Sequence, residues 1–591
     1  MKTSLFIPIF FLFPFCVQAQ NADSLAVTRQ VDSLQKIWRG LNGNRNYQEM
    51  LEIATFAGAL AEKGLGKHSP YYAKCLNAQG LALFEMGRLA EAEILYLEAK
   101  DIWEKSLGKQ HSDYFMSVTN LANLYTEMGK YENAEQLYLE VIAFREKALG
   151  KEHPQYATSL NSLATLYTTM GNYEKAEQLY LEAIAIRGKN PGKEHPDYAA
   201  SLNNLANLYT KTGTYEKVEP LLLESIAILE KTLGQEHPNY SASIINLADL
   251  YSIMGDYEKS EQRYLEAKAL LEKALAKEKS SYTACLNGLA NLYGKMGNYE
   301  KAEPLYLEAI AIREKKLGKE HSSYAESLHN LAVLYFLMGN YEKSEPLFLE
   351  SKAIWEKNLG KEHPRYSGSL DGLADLYNRM GNYEKAEQLY LESIAIREKS
   401  LGKEHPLYAS SLNNLANLYE IQNRFMASEP LLAELYAQEQ ARLSKAASYF
   451  SEREIANYIA TFKTERYNLC DYLLTRSSGD KQTGTLPALA FDQILFYKGF
   501  LLTSAARLNT ISAASPESKE LNIRLKGYRR RLAAEYAKPI AERKGVDELE
   551  EKANTAEKEL TRTLTGYADA TRQVTWKEVQ SLLKPDEAAI E

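Results

Sequence analysis

Length, composition and charge set the first limits on this chain. At 591 residues it is too long for one compact core, and 25% charged with 45% hydrophobic residues is typical of globular proteins. The net charge of −8, without a cluster of lysine and arginine interleaved with aromatic residues, argues against a nucleic-acid partner.

Residues 1–19 have the features of a secretory signal peptide. Lys2 precedes a short apolar run, and small residues end it, which predicts cleavage after Ala19. The run is too short for a comfortable membrane span, and no later stretch is apolar enough to cross a bilayer. Phe15 argues against a lipid anchor on Cys16, because a small residue normally precedes a lipidated cysteine. We expect an exported protein without a membrane span, periplasmic if the source is a Gram-negative bacterium.

From residue 66 to residue 443 the chain repeats a unit of 42 residues nine times. Ala276 fills one gap in a glycine series that comprises Gly66, Gly108, Gly150, Gly192, Gly234, Gly318, Gly360 and Gly402. Tyrosine follows six residues later in every repeat, at Tyr72, Tyr114, Tyr156, Tyr198, Tyr240, Tyr282, Tyr324, Tyr366 and Tyr408. Self-similarity at a fixed period predicts a stack of supersecondary units, none of which buries its apolar face alone.

Each repeat is predicted to form two antiparallel helices. Apolar residues between Tyr156 and Tyr167 follow the spacing of one helical face, and Gly171 ends that helix. A second apolar stripe begins after Asn172 and normally ends in a basic turn and a glycine. Pro191 is expected to shorten one second helix.

The repeats are flanked by helical segments of different character. Residues 20–65 are predicted to be a degenerate helix pair that caps the stack, since end repeats are commonly atypical. Residues 444–591 lose the period but stay helical, and within them residues 515–537 and 546–570 are predicted to form an antiparallel hairpin.

The repeat resembles the tetratricopeptide repeat (TPR) in the 42-residue form of kinesin light chains. The residues that carry the resemblance are Asn203 to Tyr209 and Gly381 to Glu387. It implies an all-α fold, a right-handed TPR superhelical solenoid followed by a C-terminal helical region. It further implies that the first helices line a concave groove, which binds peptides or partner proteins.

Asparagines on the first helices are the candidate contacts in that groove. Several lie four residues apart and so share a face, and an amide offers both a donor and an acceptor to an extended peptide backbone. The alternative, left open at equal weight, is that some amides hydrogen-bond between adjacent helices. The candidates are Asn161, Asn203, Asn207, Asn246, Asn287, Asn291, Asn330, Asn413 and Asn417.

Two repeated polar series do not indicate catalysis or metal binding. The histidines, found at this position in seven of the nine repeats, are too far apart to share an ion and are interpreted as linker and helix-cap residues. The glutamates, one per repeat, are expected to be solvated or hydrogen-bonded within their own helix pair. Cys75, Cys285 and Cys470 form no disulfide framework. We therefore predict no catalytic residues, no metal and no cofactor.

A second resemblance concerns the end of the chain. Ala490 to Leu502 and Trp576 to Glu591 resemble the helical lead-in to a CHAT domain, a caspase-like module. In that family the peptidase core follows this lead-in, and its catalytic histidine and cysteine have no counterparts in these residues. We expect a non-enzymatic module that binds a protein or peptide. The alternatives are the recognition portion of a CHAT-type cysteine peptidase and a self-associating scaffold, and the oligomeric state is left open.

Overall fold

The computed structural model contains helices and no strand in the residues that it describes. These are residues 24–43, 46–274, 280–447, 450–461, 472–474, 476, 484–493, 496, 516–536, 538 and 543–563. The predicted all-α solenoid is confirmed. The predicted signal peptide, Cys16 and Cys470 lie outside the described residues.

The helices follow one another in consecutive packed pairs. Their bounds are α1 Ser24–Gly43, α2 Tyr47–Leu65, α3 Pro70–Glu85, α4 Leu89–Leu107, α5 Ser112–Glu127, α6 Tyr131–Leu149, α7 Pro154–Thr169, α8 Tyr173–Arg187, α9 Pro196–Lys211, α10 Tyr215–Leu233, α11 Pro238–Met254, α12 Tyr257–Lys273, α13 Ser280–Lys295, α14 Tyr299–Leu317, α15 Ser322–Leu337, α16 Tyr341–Leu359, α17 Pro364–Arg379, α18 Tyr383–Leu401, α19 Pro406–Ile421, α20 Phe425–Ala447, α21 Glu452–Thr461, α22 Pro516–Tyr536 and α23 Val546–Thr563. From α3 to α20, odd-numbered helices are the first helices of the repeats and even-numbered helices are the second.

The described residues divide into two compact units. Unit 1 runs to Phe144 and also contains Glu320–Ser322, and unit 2 contains the rest. In unit 1 the core includes the buried side chains of Trp103, Tyr114 and Val118. In unit 2 a larger core is built from tyrosines, leucines and alanines of successive repeats. No helix in the described part of the chain is long and apolar enough to span a membrane.

Glycine and histidine mark the helix ends in most of the described repeats. Gly150 has φ +84° and Gly171 has φ +73°, a left-handed conformation that L side chains rarely adopt, so these glycines end helices where the sequence predicts. His153 precedes α7, and its Nδ1 accepts the backbone N–H of Gln155 at 3.1 Å. The same cap is made by His111, His195, His237, His363 and His405. The predicted cap role of the histidines is confirmed.

Polar contacts tie each repeat to the next. In α8, Arg187 Nη1 donates to Ser201 Oγ at 2.7 Å and to the Asp197 carbonyl at 2.8 Å. The Tyr209 hydroxyl donates to Glu177 at 2.9 Å. The expectation that the repeated glutamates are solvated or bonded within their own helix pair is therefore wrong for this series. The equivalent pairs are Tyr251–Glu219, Tyr293–Glu261, Tyr335–Glu303, Tyr377–Glu345 and Tyr419–Glu387.

The C-terminal helices α22 and α23 form the predicted antiparallel hairpin. Arg529 pairs with Glu557 at 3.0 Å, and Tyr536 hydrogen-bonds Glu550. Residue numbers rise along one helix as they fall along the other, which makes the pair antiparallel. Residues 564–570 of the predicted second arm lie outside the described residues.

Candidate functional site

The first helices of unit 2 lie closer together than the second helices. Contacts join α7 to α9, α9 to α11, α11 to α13 and α17 to α19, and among the described residues no two successive second helices pack as closely. The first helices therefore line the inner side of the curve within unit 2. All nine candidate asparagines lie on these first helices.

One register of candidate asparagines lies between adjacent helices. Asn161 Nδ2 donates to Ser201 Oγ at 2.8 Å, and Asn203 Nδ2 donates to Ser225 and Ser243 at 2.8 and 2.7 Å. Asn287 Nδ2 donates to Ser327 Oγ at 3.3 Å. If the amide is rotated by 180°, its oxygen instead accepts from Arg313 Nη2 at 3.2 Å. These contacts favour the interhelical alternative for these three residues.

Asn413 and Asp371 occupy the same register in later repeats. Asn413 is half-buried. Asp371 is buried and pairs with Arg397 Nη2 at 2.7 Å. Ser411 Oγ of the next repeat donates to Asp371 at 3.2 Å, so this register also joins adjacent repeats where an aspartate replaces the asparagine.

A second register lies one helical turn further along the same first helices. Asn207, Asn291 and Asn417 are exposed. The Tyr306 hydroxyl of the second helix donates to Asn291, and Tyr390 donates likewise to Asp375. The two other asparagines differ, because the second helices of their repeats carry leucine in place of that tyrosine.

Leu222 and Leu432 are those replacements. Neither leucine can donate a hydrogen bond, and both are buried. The amides of Asn207 and Asn417 consequently have no hydrogen-bond partner among the described residues. They are exposed on the inner face and available to a ligand.

Asn246 and Asn330 stand at a third position of the repeat, three residues before that register, in α11 and α15. Asn246 is exposed and Asn330 is half-buried. Within the described ranges neither amide has a hydrogen-bond partner. The candidate set thus separates into inter-repeat contacts, one tyrosine-bound amide and four amides that are free to bind: Asn207, Asn246, Asn330 and Asn417.

Burial raises the pKa of three carboxyls on the first helices, those of Asp249, Asp371 and Asp375. Burial raises the pKa of Asp375 to about 6, against the hydrogen bond from Tyr390, and the neighbouring Asp371 adds to the increase. The two carboxyls lie on one helix, but no group of histidine, cysteine, aspartate and glutamate in the described part of the chain is arranged to hold a metal ion. The arrangement is suited to hydrogen bonding rather than to coordination.

Helices beyond the repeats dock on second helices of unit 2. Lys558 Nζ in α23 lies 2.7 Å from Glu177 in α8 and 3.3 Å from Glu454 in α21. Lys217 in α10 lies 3.0 Å from Glu454. Burial acts to raise the pKa of Glu454, but Lys558 and Lys217 outweigh it and lower the pKa to about 2.

Sequence reasoning did not identify this cluster. Glu177 belongs to a series present in every repeat, so its identity does not single it out. Lys558 stands in an ordinary charged helix. Only the fold brings these residues together from positions 381 apart along the chain.

Comparison with protein families identifies the repeats. A tetratricopeptide repeat model matches residues 76–146, 113–189, 171–231, 197–273, 282–357, 323–399 and 366–441, which together cover more than half of the chain. The chain belongs to the tetratricopeptide repeat family. Comparison with curated proteins gave no match.

Solved structures with TPR-like repeats are similar over parts of this TPR chain. One is a kinesin light chain from Podosopora anserina with nearly identical TPR-like repeats, 30% identical over 34% of this chain and 96% of that chain, with TM-score 0.31. Another is BtubC (BKLC) from P. vanneervenii, 20% identical over 41% of this chain and 90% of that chain, also with TM-score 0.31. A third, Rap protein complexed with Competence and Sporulation Factor, is 16% identical over 64% of this chain and 99% of that chain, with TM-score 0.42.

These TM-scores are low, so the family assignment depends on the repeat matches. The kinesin-light-chain type of TPR predicted from the 42-residue period is confirmed. Residues 497–502 and 576–591, which carry most of the resemblance to a CHAT lead-in, lie outside the described residues.

Proposed function

We propose that this TPR protein binds an extended peptide or protein segment on the inner face of its first helices in unit 2, and that it acts by binding rather than by catalysis. The observation that supports this most directly is the set of amides at Asn207, Asn246, Asn330 and Asn417. Each stands on a first helix, and none has a hydrogen-bond partner among the described residues. An asparagine in a helix interior is mildly unfavourable, so four that contribute no internal contact favour an external one.

The spacing of these amides suits an extended ligand. Neighbouring helices pack about 8 to 10 Å apart, and an extended chain rises about 3.3 Å per residue. One repeat therefore corresponds to about three ligand residues. Asn207 and Asn417 are five repeats apart, which sets the bound segment at about 15 residues.

The test uses two matched double variants of the chain from residue 20 onward. Peptides selected from a displayed library of extended 15-residue sequences are titrated calorimetrically against the unmodified chain, Asn207→Ala/Asn246→Ala and Gln178→Ala/Gln388→Ala. The glutamines are exposed amides on second helices and serve as the control. We expect about a tenfold or greater loss of affinity for the asparagine variant, since each lost hydrogen bond contributes about 0.5–1.5 kcal/mol. Equal affinity of the two variants would refute the proposed face.

The second candidate function is the recognition portion of a CHAT-type cysteine peptidase. The supporting observation is the sequence resemblance of Ala490 to Leu502 and of Trp576 to Glu591. Reading the gene beyond the codon for Glu591 tests it. Strands with a histidine and a cysteine would support the peptidase, and a stop codon would leave the binding module alone.

We also propose that the protein is exported. The predicted signal peptide supports this, with cleavage after Ala19. Amino-terminal sequencing of the protein from its native source checks the site. A mature chain that begins at Gln20 agrees, and one that retains Lys2 contradicts it.

A further inference from the structure

Within unit 2, the N-terminus of one first helix contacts the C-terminus of another first helix. His405 caps α19 through Nδ1, and its Nε2 lies 3.1 Å from the carbonyl oxygen of Thr169. Thr169 is the last residue of α7, so this carbonyl has no partner in its own helix. A Cβ on Gly171 would lie 3.6 Å from the His405 ring and 3.8 Å from Pro406, which confirms close approach.

Unit 1 contains an equivalent contact. His321 Nε2 lies 3.1 Å from the carbonyl oxygen of Glu85, the last residue of α3. Both contacts join residues 236 apart in sequence. His405 is therefore a two-sided group: one nitrogen caps its own helix, and the other donates to the end of a different first helix.

Several consecutive first-helix ends of unit 2 are open, among them those of α13, α15 and α17. The last residues of α13, α15 and α17 are Lys295, Leu337 and Arg379, and their carbonyls accept no backbone hydrogen bond among the described residues. Beside Leu337, Met338 is 42% exposed. A Cβ added to any of the adjacent turn glycines would meet no described atom within 4 Å; these are Gly297, Gly339 and Gly381. We call these three ends the acceptor edge.

Three consecutive first-helix starts of unit 2 are open as well. His153, His195 and His237 cap α7, α9 and α11 through Nδ1. Across the described ranges, their Nε2 atoms have no hydrogen-bond partner. We call these three starts the donor edge.

We propose that a second copy of this chain docks head to tail, so that the donor edge of one copy meets the acceptor edge of the next. His153, His195 and His237 of one copy then donate to the carbonyls of Lys295, Leu337 and Arg379 of the other. The contact repeats the geometry that His405 makes with Thr169. Both internal contacts join residues 236 apart in sequence. Successive repeats of one copy are therefore expected to meet successive repeats of the other copy in the same order.

Two physical features support this occupant over an unrelated protein. A helix start carries a partial positive charge and a helix end a partial negative charge, so the edges attract. A second copy has the same spacing between repeats, so all three histidine-to-carbonyl contacts form together. A partner without this period would make only one of the three contacts. The proposed peptide face is a different surface and does not depend on this contact.

Each copy presents one edge of each kind. The interface is therefore heterologous, and unless the rotation between copies closes a ring, association continues beyond the dimer. We expect the mass of the purified chain to increase with concentration.

Two triple variants test the proposal, each in the chain from residue 20 onward. His153→Asn/His195→Asn/His237→Asn removes the Nε2 donors but keeps an asparagine that can cap a helix. Met296→Trp/Met338→Trp/Met380→Trp places bulky side chains on the acceptor edge at positions that are exposed in the chain, where they block the approach of an incoming helix start. Thermal unfolding of both variants verifies that they fold.

Masses are then measured by sedimentation across a concentration series. We expect the unmodified chain to form species larger than a dimer, each variant alone to be monomeric, and an equimolar mixture to form one heterodimer through the single intact pair of edges. A chain that stays monomeric at every concentration overturns the proposal. So does an unchanged mass in either variant, or a mixture that forms no heterodimer.

Discussion

Asn203 and Asn207 show how two identical residues on one helix acquire different roles. They lie one turn apart on α9, and their surroundings differ because of residues on second helices. Asn203 Nδ2 donates to Ser225 Oγ at 2.8 Å, whereas the apolar side chain of Leu222 has no group that could hydrogen-bond to Asn207. The role of each amide is therefore decided by a position on another helix, which for Asn203 is 22 residues away in sequence.

We predict that the two residues separate under alanine substitution. Asn203→Ala removes a donor that binds Ser225 and Ser243, and should destabilise the protein by about 1–3 kcal/mol. Asn207→Ala should change stability by less than about 0.5 kcal/mol. Thermal unfolding midpoints of the two variants check this. Equal shifts would show that Asn207 also contributes to the packing of the repeats.

Asp375 provides a pH-dependent prediction. Burial raises its pKa to about 6, whereas in the unfolded chain an aspartate titrates near 3.9. The folded state therefore holds the proton more tightly, and stability falls as pH rises from about 4 through about 6.

Asp375→Asn should remove that dependence, because asparagine does not titrate. We expect the variant to be more stable than the unmodified chain above pH 6, by up to about 3 kcal/mol, with the difference shrinking towards pH 4. Asn291 with Tyr306 shows that an amide fits the same position. Denaturant unfolding at several pH values measures the difference, and a difference that is constant with pH would contradict the prediction.

At the scale of helices, sequence was sufficient where one residue decides the outcome. Glycine ends helices and histidine caps them because each acts on its own backbone. Pro191 shortens its helix as expected, and α8 ends at Arg187. These effects are local, so a single repeat contains the information.

Contacts between helices were less accessible from the sequence. Tyr209 reaches Glu177 across 32 positions, and nothing in either repeat alone pairs them. The peptide-face candidates were found as a group, but their division into interhelical and free amides required the positions of Ser225 and Leu222 in space. Periodicity shows which residues are equivalent and does not show which of them touch.

In unit 2, the buried ion cluster fixes the C-terminal helices to the repeats. Glu454 is 1% exposed and lies between Lys558 and Lys217. Glu551 also contacts Lys217, at 3.6 Å, but its side chain is 59% exposed. Lys217 therefore contacts one buried carboxylate, Glu454, and one exposed carboxylate, Glu551.

We predict different outcomes for the two neutral variants. Glu454→Gln leaves buried lysines without their shared carboxylate, which typically costs about 3–5 kcal/mol, so α21 and α23 should detach from α8 and α10. Glu551→Gln removes a solvent-exposed pair that contributes at most about 1 kcal/mol, so docking should persist. Hydrogen exchange of the α23 amides distinguishes them, with at least about hundredfold faster exchange expected for Glu454→Gln alone. Equal exchange in the two variants would mean that apolar contacts such as Tyr173 against Tyr458, rather than the ion cluster, hold these helices in place.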